Sequence, residues 1–235
     1  MKTLLITGTS RGIGQALAHR YLDQGYFVVG CSRDIQGAQS FSTKKNYQHF
    51  ALDLRDPTAV AHFLNSLASQ HPSIYGLINN AAISSYNSAL FSSLQTTRDI
   101  LQVNVVSVFQ LCQGVARLMY SQKSGRIINF STVAVPLSLE GVSMYSASKA
   151  AVESLTRSLA KEFGPIGITI NCVGPTVVDT DLMRQLPKRH VTQLVERQHL
   201  KEVATVDDVG NVVDFFLSEK SQMISGQTLY LGGFG

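Results

Sequence analysis

The chain has 235 residues, 44% of them hydrophobic and 15% charged, with a formal net charge of +4; that size and composition suit one α/β domain with a buried core and exclude disorder. The positive excess is scattered, with Lys44–Lys45 and Lys188–Arg189 as its basic doublets, which argues against a nucleic-acid surface. No apolar run approaches the roughly 20 residues of a membrane span, Met1–Thr7 is too short an apolar start for a signal peptide, and three widely spaced cysteines, Cys31, Cys112 and Cys172, suit reduced thiols in a cytoplasm.

In chain order, Lys2–Thr7 reads as a buried strand, and Ile13–Gln24 as a helix with Ile13, Ala16, Leu17 and Tyr21 at helical spacing. Tyr26–Cys31 and Tyr47–Leu52 are the next strands, and a helix begins near Pro57, where proline suits a first turn. Ile74–Asn79 is a strand, Thr97–Met119 a long helix, Arg126–Ser131 a strand and Met144–Phe163 a helix. Ile168–Val173, Val206–Leu217 and Thr228–Leu231 complete the series as strand, helix and strand. Strands alternating with helices require a parallel sheet with right-handed crossovers, and Val/Ile/Leu-rich strands without alternation suit a sheet covered on both faces. The expectation is a single α/β domain over residues 1–235, a doubly wound parallel sheet of the Rossmann type, whose ligand lies beyond the carboxyl ends of the strands. Residues 176–205 are polar and mixed, with no strand signal, and are placed to form a flap over that site.

Strand one runs into Thr7-Gly8-Thr9-Ser10-Arg11-Gly12-Ile13-Gly14, and a helix follows. Glycines at this first strand-to-helix turn allow close backbone approach to a pyrophosphate, and the helix N-terminus adds free N–H groups. The spacing is Gly-x-x-x-Gly-x-Gly. Far behind it, Tyr145 and Lys149 form Tyr-x-x-x-Lys, four apart on one helical face. A phenol has a reference pKa near 10, and a neighbouring ammonium favours its ionised form, so such a tyrosine can exchange a proton with a carbonyl oxygen as hydride arrives or leaves. The six histidines show no paired metal-ligand spacing, so no metal site is expected.

These motifs, in this order and over the whole length, resemble the short-chain dehydrogenase/reductase family of the single-domain kind, and most closely its 3-oxoacyl-acyl-carrier-protein reductase-like members. Where the family's NAD users carry an acid at the end of strand two, this chain has Ser32, followed by Arg33, with Arg11 in the glycine loop. Guanidinium groups can grip a ribose 2′-phosphate, so NADP(H) is expected over NAD(H). Asp53, with Leu54 beside it, matches the position that contacts adenine; the alternative is an aspartate capping the next helix. By resemblance Lys149 also bonds the nicotinamide ribose, and Asn104 takes part in a water relay to that lysine.

The family's third catalytic member is usually a serine thirteen residues before the tyrosine; that count lands on Thr132, with Ser131 as the second choice. Asn80-Ala81-Ala82 replaces the usual Asn-Ala-Gly, and Pro175 is followed by Thr176 instead of glycine. Val178 and Thr180 match the carboxamide contacts. The candidate cofactor residues are therefore Gly8, Ser10, Arg11, Gly12, Ile13, Gly14, Ser32, Arg33, Asp53, Leu54, Asn80, Ala81, Ala82, Tyr145, Lys149, Pro175, Val178 and Thr180, and the candidate catalytic residues Tyr145, Lys149, Thr132, Asn104 and Ser131.

The resemblance implies an NADPH-dependent reductase of a small-molecule carbonyl, or the reverse alcohol oxidation, with a 3-oxoacyl thioester as the first substrate class. Ile166 stands where carrier-docking members often have arginine. It also implies a homotetramer, or a homodimer, built through the two long helices and the last strand. The departures at Ala82, Thr132 and Thr176 motivate an alternative, a cofactor-binding redox sensor with little catalysis. The chain ends too soon for the larger substrate domain of the isomerase and dehydratase relatives.

Overall fold

The computed structural model describes residues 1–33, 39–180, 183 and 188–233, with the side chains of Lys188 and His190 outside the description. Among the described residues seven strands form one sheet: β1 (Thr3–Thr7), β2 (Phe27–Ser32), β3 (Tyr47–Ala51), β4 (Gly76–Asn79), β5 (Gly125–Phe130), β6 (Ile168–Gly174) and β7 (Thr228–Tyr230). Their order is β3-β2-β1-β4-β5-β6-β7, and every pairing is parallel. Residues at the sequence-predicted strand ends fall within one or two positions of these bounds. All strands point their carboxyl ends the same way, and the order reverses between β1 and β4, which is where such sheets open a crevice.

Successive strand residues face opposite ways, so the unalternating apolar runs fill two cores. Leu5, Val29, Leu77, Ile127 and Ile170 pack on one face with Val60, Phe63 and Leu67 of α2 (Pro57–Gln70) and with Val108, Leu111 and Val115 of α4 (Ser107–Tyr120). Their neighbours Leu4, Val28, Ile78, Ile128 and Val173 pack on the other face with Leu17 and Tyr21 of α1 (Gly12–Asp23) and with Val209, Val213 and Phe216 of the helix Val206–Leu217. Pro57 does begin its helix, and the cap is Asp56, whose carboxylate accepts from the Thr58 and Ala59 amides at 2.8 and 3.1 Å. That assigns the helix cap to Asp56 and frees Asp53 from that alternative.

The long helix expected over Thr97–Met119 spans Leu94–Tyr120 but is not uniform. α3 (Leu94–Leu101) passes through a π-helical segment, Gln102–Val106, into α4. The wider turn carries Asn104, which is fully buried, and such bulges tend to occur where a helix serves a site. Two helices were not foreseen. α5 (Ala134–Leu137) is a single turn closed by Ser138 in the left-handed region, φ 49°. α7 (Lys188–Arg197) lies inside the expected flap; its apolar residues Val191, Leu194 and Val195 have helical spacing, but its charged neighbours hid the pattern. α6 (Ser143–Phe163) carries Tyr145 and Lys149. No helix among the described residues is long and apolar enough to cross a membrane.

Candidate active site

The glycine loop is held by the sheet rather than by its own turns. The Gly8 and Thr9 amides donate to the Cys31 carbonyl of β2, Asn80 Nδ2 donates to the Thr7 carbonyl at 2.9 Å, and the Ala81 amide donates to Thr7 Oγ1 at 3.0 Å. Gly14 is required by space: a Cβ there would sit 2.2 Å from the Gly8 carbonyl oxygen. Gly12 is required by conformation, with φ +60° and nothing nearer to a built Cβ than Thr180 at 4.0 Å. Arg11, at the N-cap of α1, contributes no side-chain cap, so the first-turn amides stay available to an anion at the positive end of the helix dipole.

A cleft of about 480 Å³ opens along the carboxyl ends of the strands. It is lined by Gly8, Ser10, Arg11, Gly12 and Ile13 of the loop, Ser32 and Arg33 after β2, Asp53 and Leu54 after β3, and Asn80, Ala81 and Ala82 after β4. Ser131, Thr132, Tyr145, Lys149, Pro175, Val178 and Thr180 line its other part. Two of the sequence-chosen residues stay outside it. Gly14 acts sterically from behind the loop, and Asn104 is buried. The lining also includes residues that sequence reasoning missed, among them Arg55, Ile83, Leu139, Met183 and Leu194. Arg55 had a legible signal, since it follows Asp53 by two; the flap residues had none.

At the end formed by β2 and β3, Arg11 and Arg33 are exposed, and neither forms an ion pair among the described residues. Asp53 is engaged by Arg55, whose guanidinium reaches both carboxylate oxygens, the closest contact being 2.5 Å, and whose amide donates at 3.0 Å. These hydrogen bonds hold the Asp53 carboxyl below its ordinary range.

At the other end, Lys149 is buried at 2% exposure and its Nζ donates to the Phe130 carbonyl at 2.7 Å. Burial lowers its pKa to about 8, with the Cys172 sulfur acting in the opposite sense. Tyr145 behaves differently from the sequence expectation. Its pKa is raised, because burial penalises the phenolate; the opposing influence is a hydrogen bond with the Thr132 hydroxyl. Lys149 Nζ sits 5.9 Å from the phenol ring centroid and spends its hydrogen bond on Phe130, so the ammonium does not override desolvation.

The two candidate hydroxyls diverge because they sit on consecutive residues at a strand end. Thr132 lines the cleft together with Tyr145, and its hydroxyl accepts from the Ala134 amide at 3.2 Å. Ser131 turns the other way and donates to the buried Glu153 carboxylate, which also accepts from Tyr230. Thr132 therefore takes the position beside the phenol, and Ser131 is occupied elsewhere. Asn104 exchanges two hydrogen bonds with the Ile83 backbone, both at 2.9 Å, and donates to Ser148 Oγ at 3.0 Å. Its side chain thus pins α6 and the loop after β4, one residue away from Lys149. Thr176, the departure after Pro175, bonds through its hydroxyl to the Gln198 amide oxygen. Gln198 is fully buried and donates to the Leu200 and Glu202 carbonyls, each at 2.8 Å, so Thr176 ties the far end of the flap region to the strand end.

A family model described as enoyl-(acyl carrier protein) reductase matches residues 8–234. The chain is 32% identical over 234 residues to the 3-oxoacyl-(acyl-carrier-protein) reductase FabG of Buchnera aphidicola subsp. Schizaphis graminum, covering 99% of this chain and 96% of that one. Among solved structures it is similar to 4-hydroxyisoleucine dehydrogenase complexed with NADH, with TM-score 0.94, 25% identity and coverage of 100% and 98% of the two chains. It is also similar to a protein described as an NAD(P)-dependent gluconate 5-dehydrogenase of Beutenbergia cavernae with bound NADP, with TM-score 0.90, 28% identity and coverage of 97% and 94%.

Proposed function

The chain belongs to the short-chain dehydrogenase/reductase family, and from that premise we propose that it is an NADP(H)-dependent oxidoreductase that reduces a small-molecule carbonyl to an alcohol, or runs the reverse. The observation that carries the reading is that one cleft is lined both by the glycine loop with its helix N-terminus and by Thr132, Tyr145 and Lys149. The residues fit the cofactor. The uncapped helix start and Gly12 suit a pyrophosphate, while Arg11 and Arg33 flank Ser32 where an acid would repel a 2′-phosphate. One similar structure holds NADH and another NADP, so the cofactor choice rests on these residues of the chain itself.

When bound, the nicotinamide supplies or accepts the hydride. Tyr145 donates the proton to the carbonyl oxygen, because burial keeps its phenol protonated, and Thr132 orients that oxygen. Lys149 would hold the nicotinamide ribose and, from its place 5.9 Å from the phenol ring centroid, would return protons toward Tyr145. Asn104 acts through Ser148 and the Ile83 backbone by fixing the start of α6. Tyr145, Lys149 and Thr132 lining one cleft with the glycine loop favour catalysis over a purely sensing role. The substrate class to test first is a 3-oxoacyl thioester, following the FabG relative. The whole chain acts as one domain, with residues 176–205 as the substrate flap.

We also propose a homotetramer. Leu101, Val106 and Phe109 are exposed along the Leu94–Tyr120 helix, and β7 is an edge strand; light scattering at the monomer mass would refute it. The activity is tested by NADPH oxidation with a 3-oxoacyl thioester, a diketone and a ketosugar. Turnover of one of them, weaker with NADH, is the expected result; no turnover despite tight NADPH binding would refute the catalytic reading.

A further inference from the structure

A chain of side chains crosses from the glycine loop to the end of β2 beneath the Arg11/Arg33 part of the cleft. Thr9 Oγ1 lies 2.9 Å from the Tyr47 hydroxyl, that hydroxyl lies 2.8 Å from His49 Nδ1, and His49 Nε2 lies 3.1 Å from Ser32 Oγ. Tyr47 and His49 are two apart on β3 and share a face; the register sets His49 opposite Gly30 and Ser32 opposite Ala51.

The fold makes room for this chain. A Cβ on Gly30 would fall 2.2 Å from the Tyr47 oxygen and 2.6 Å from Thr9 Oγ1, so the Thr9–Tyr47 contact exists because β2 carries glycine at that point. The Tyr47 ring is stacked on Phe41 at 4.2 Å, and Thr9 is fully buried. Burial raises the Tyr47 pKa to about 12, so at neutral pH the phenol is a hydrogen-bond donor.

Each contact can be donated in either direction, but an anion beyond Ser32 selects one. If the Ser32 hydroxyl donates to an anionic oxygen, Ser32 Oγ accepts from His49 Nε2–H. His49 Nδ1 then accepts from the Tyr47 hydroxyl, which in turn accepts from Thr9. The three contacts from Thr9 to Ser32 then run in one consistent sense. A neutral ribose hydroxyl imposes no such direction.

We propose that Tyr47 and His49 are positioning residues for cofactor choice, setting Ser32 as a donor toward the 2′-phosphate and so favouring NADP(H). This rests on the NADP(H) reading above. Neither residue touches the reacting atoms; both act through Ser32, which lines the cleft.

The test is calorimetric titration of the cofactor-free protein with NADPH and with NADH, for the wild type, Tyr47→Phe, His49→Leu and Ser32→Ala. Tyr47→Phe keeps the ring and its stacking on Phe41, so it is the variant least able to disturb the fold. The expected result is a fivefold or greater rise in the NADPH Kd for Tyr47→Phe and His49→Leu, with the NADH Kd moving less than twofold. Adding Ser32→Ala to Tyr47→Phe should bring little further loss. Equal weakening of both cofactors, or no change in either, in a wild type that prefers NADPH would overturn this proposal alone. A wild type that binds NADH as tightly as NADPH would overturn the cofactor reading and this proposal with it.

Discussion

Lys149→Met should make the protein more stable near neutral pH while removing its activity. Lys149 has a reference pKa of 10.5 and a folded value lowered to about 8 by burial. Each pKa unit corresponds to about 1.4 kcal/mol, so holding the charged amine in the core costs about 3 kcal/mol at pH 7. Methionine removes that cost but also loses the 2.7 Å bond to the Phe130 carbonyl, worth about 1–2 kcal/mol. The balance is a gain of about 1–2 kcal/mol at pH 7. Between the folded and unfolded pKa values the unfolded chain holds a proton on Lys149 that the native protein has released. Wild-type stability therefore gains from this group as pH rises from about 8 toward 10.5, while the variant lacks that gain, and the difference between them should close or reverse across this window. Urea unfolding of both proteins at pH 7 and near the top of the window measures it. A variant less stable than wild type at pH 7, by an amount that does not change with pH, would refute the reasoning.

Thr132→Ser should retain most of the activity and Thr132→Ala should lose it by tenfold or more, whereas Ser131→Ala should leave turnover nearly intact and cost about 1–3 kcal/mol by depriving the buried Glu153 of a donor; steady-state kinetics and urea unfolding separate the two. Arg11→Ala and Arg33→Ala should each raise the NADPH Kd about tenfold and leave NADH nearly unchanged, with a shallower salt dependence than wild type, as read by titration at two ionic strengths. Gly14→Ala should weaken both cofactors alike, since its Cβ would press on the Gly8 carbonyl; a Kd within twofold of wild type for both would contradict that placement. Asp56→Ala should lower stability by about 1 kcal/mol, through loss of the Thr58 and Ala59 caps, with no effect on Km.

The strands and most helices were legible because local apolar runs coincide with the elements that bury them. Pro57 marked a helix start, and the glycine loop marked the turn at the switch between β1 and β4. What was hidden depends on tertiary partners. The choice between Ser131 and Thr132 turns on Glu153, 22 residues away, and nothing local to Ser131 announces that carboxylate. Lys149 is expected from the spacing to pull the phenol of Tyr145 down; the direction is instead upward, because desolvation outweighs the other influences on the half-buried Tyr145 and the buried amine is turned to Phe130. The π-helical turn at Gln102–Val106 leaves no mark in a sequence that keeps a helical pattern on either side. The Thr9–Tyr47–His49–Ser32 row could not be read from spacing, because it joins the loop after β1 to β2 and β3 and depends on the missing side chain of Gly30.

The central claim is that this cleft moves hydride between NADP(H) and a carbonyl, with Tyr145 handling the proton. Its most direct test is turnover of NADPH deuterated at both C4 positions with the carbonyl panel, for wild type and Tyr145→Phe, followed by mass analysis of the alcohol. The account predicts one deuterium on the carbinol carbon from the wild type, and a rate at least about a hundredfold lower in Tyr145→Phe with NADPH affinity kept within twofold. Equal turnover in the two proteins, or an alcohol without deuterium, would contradict it.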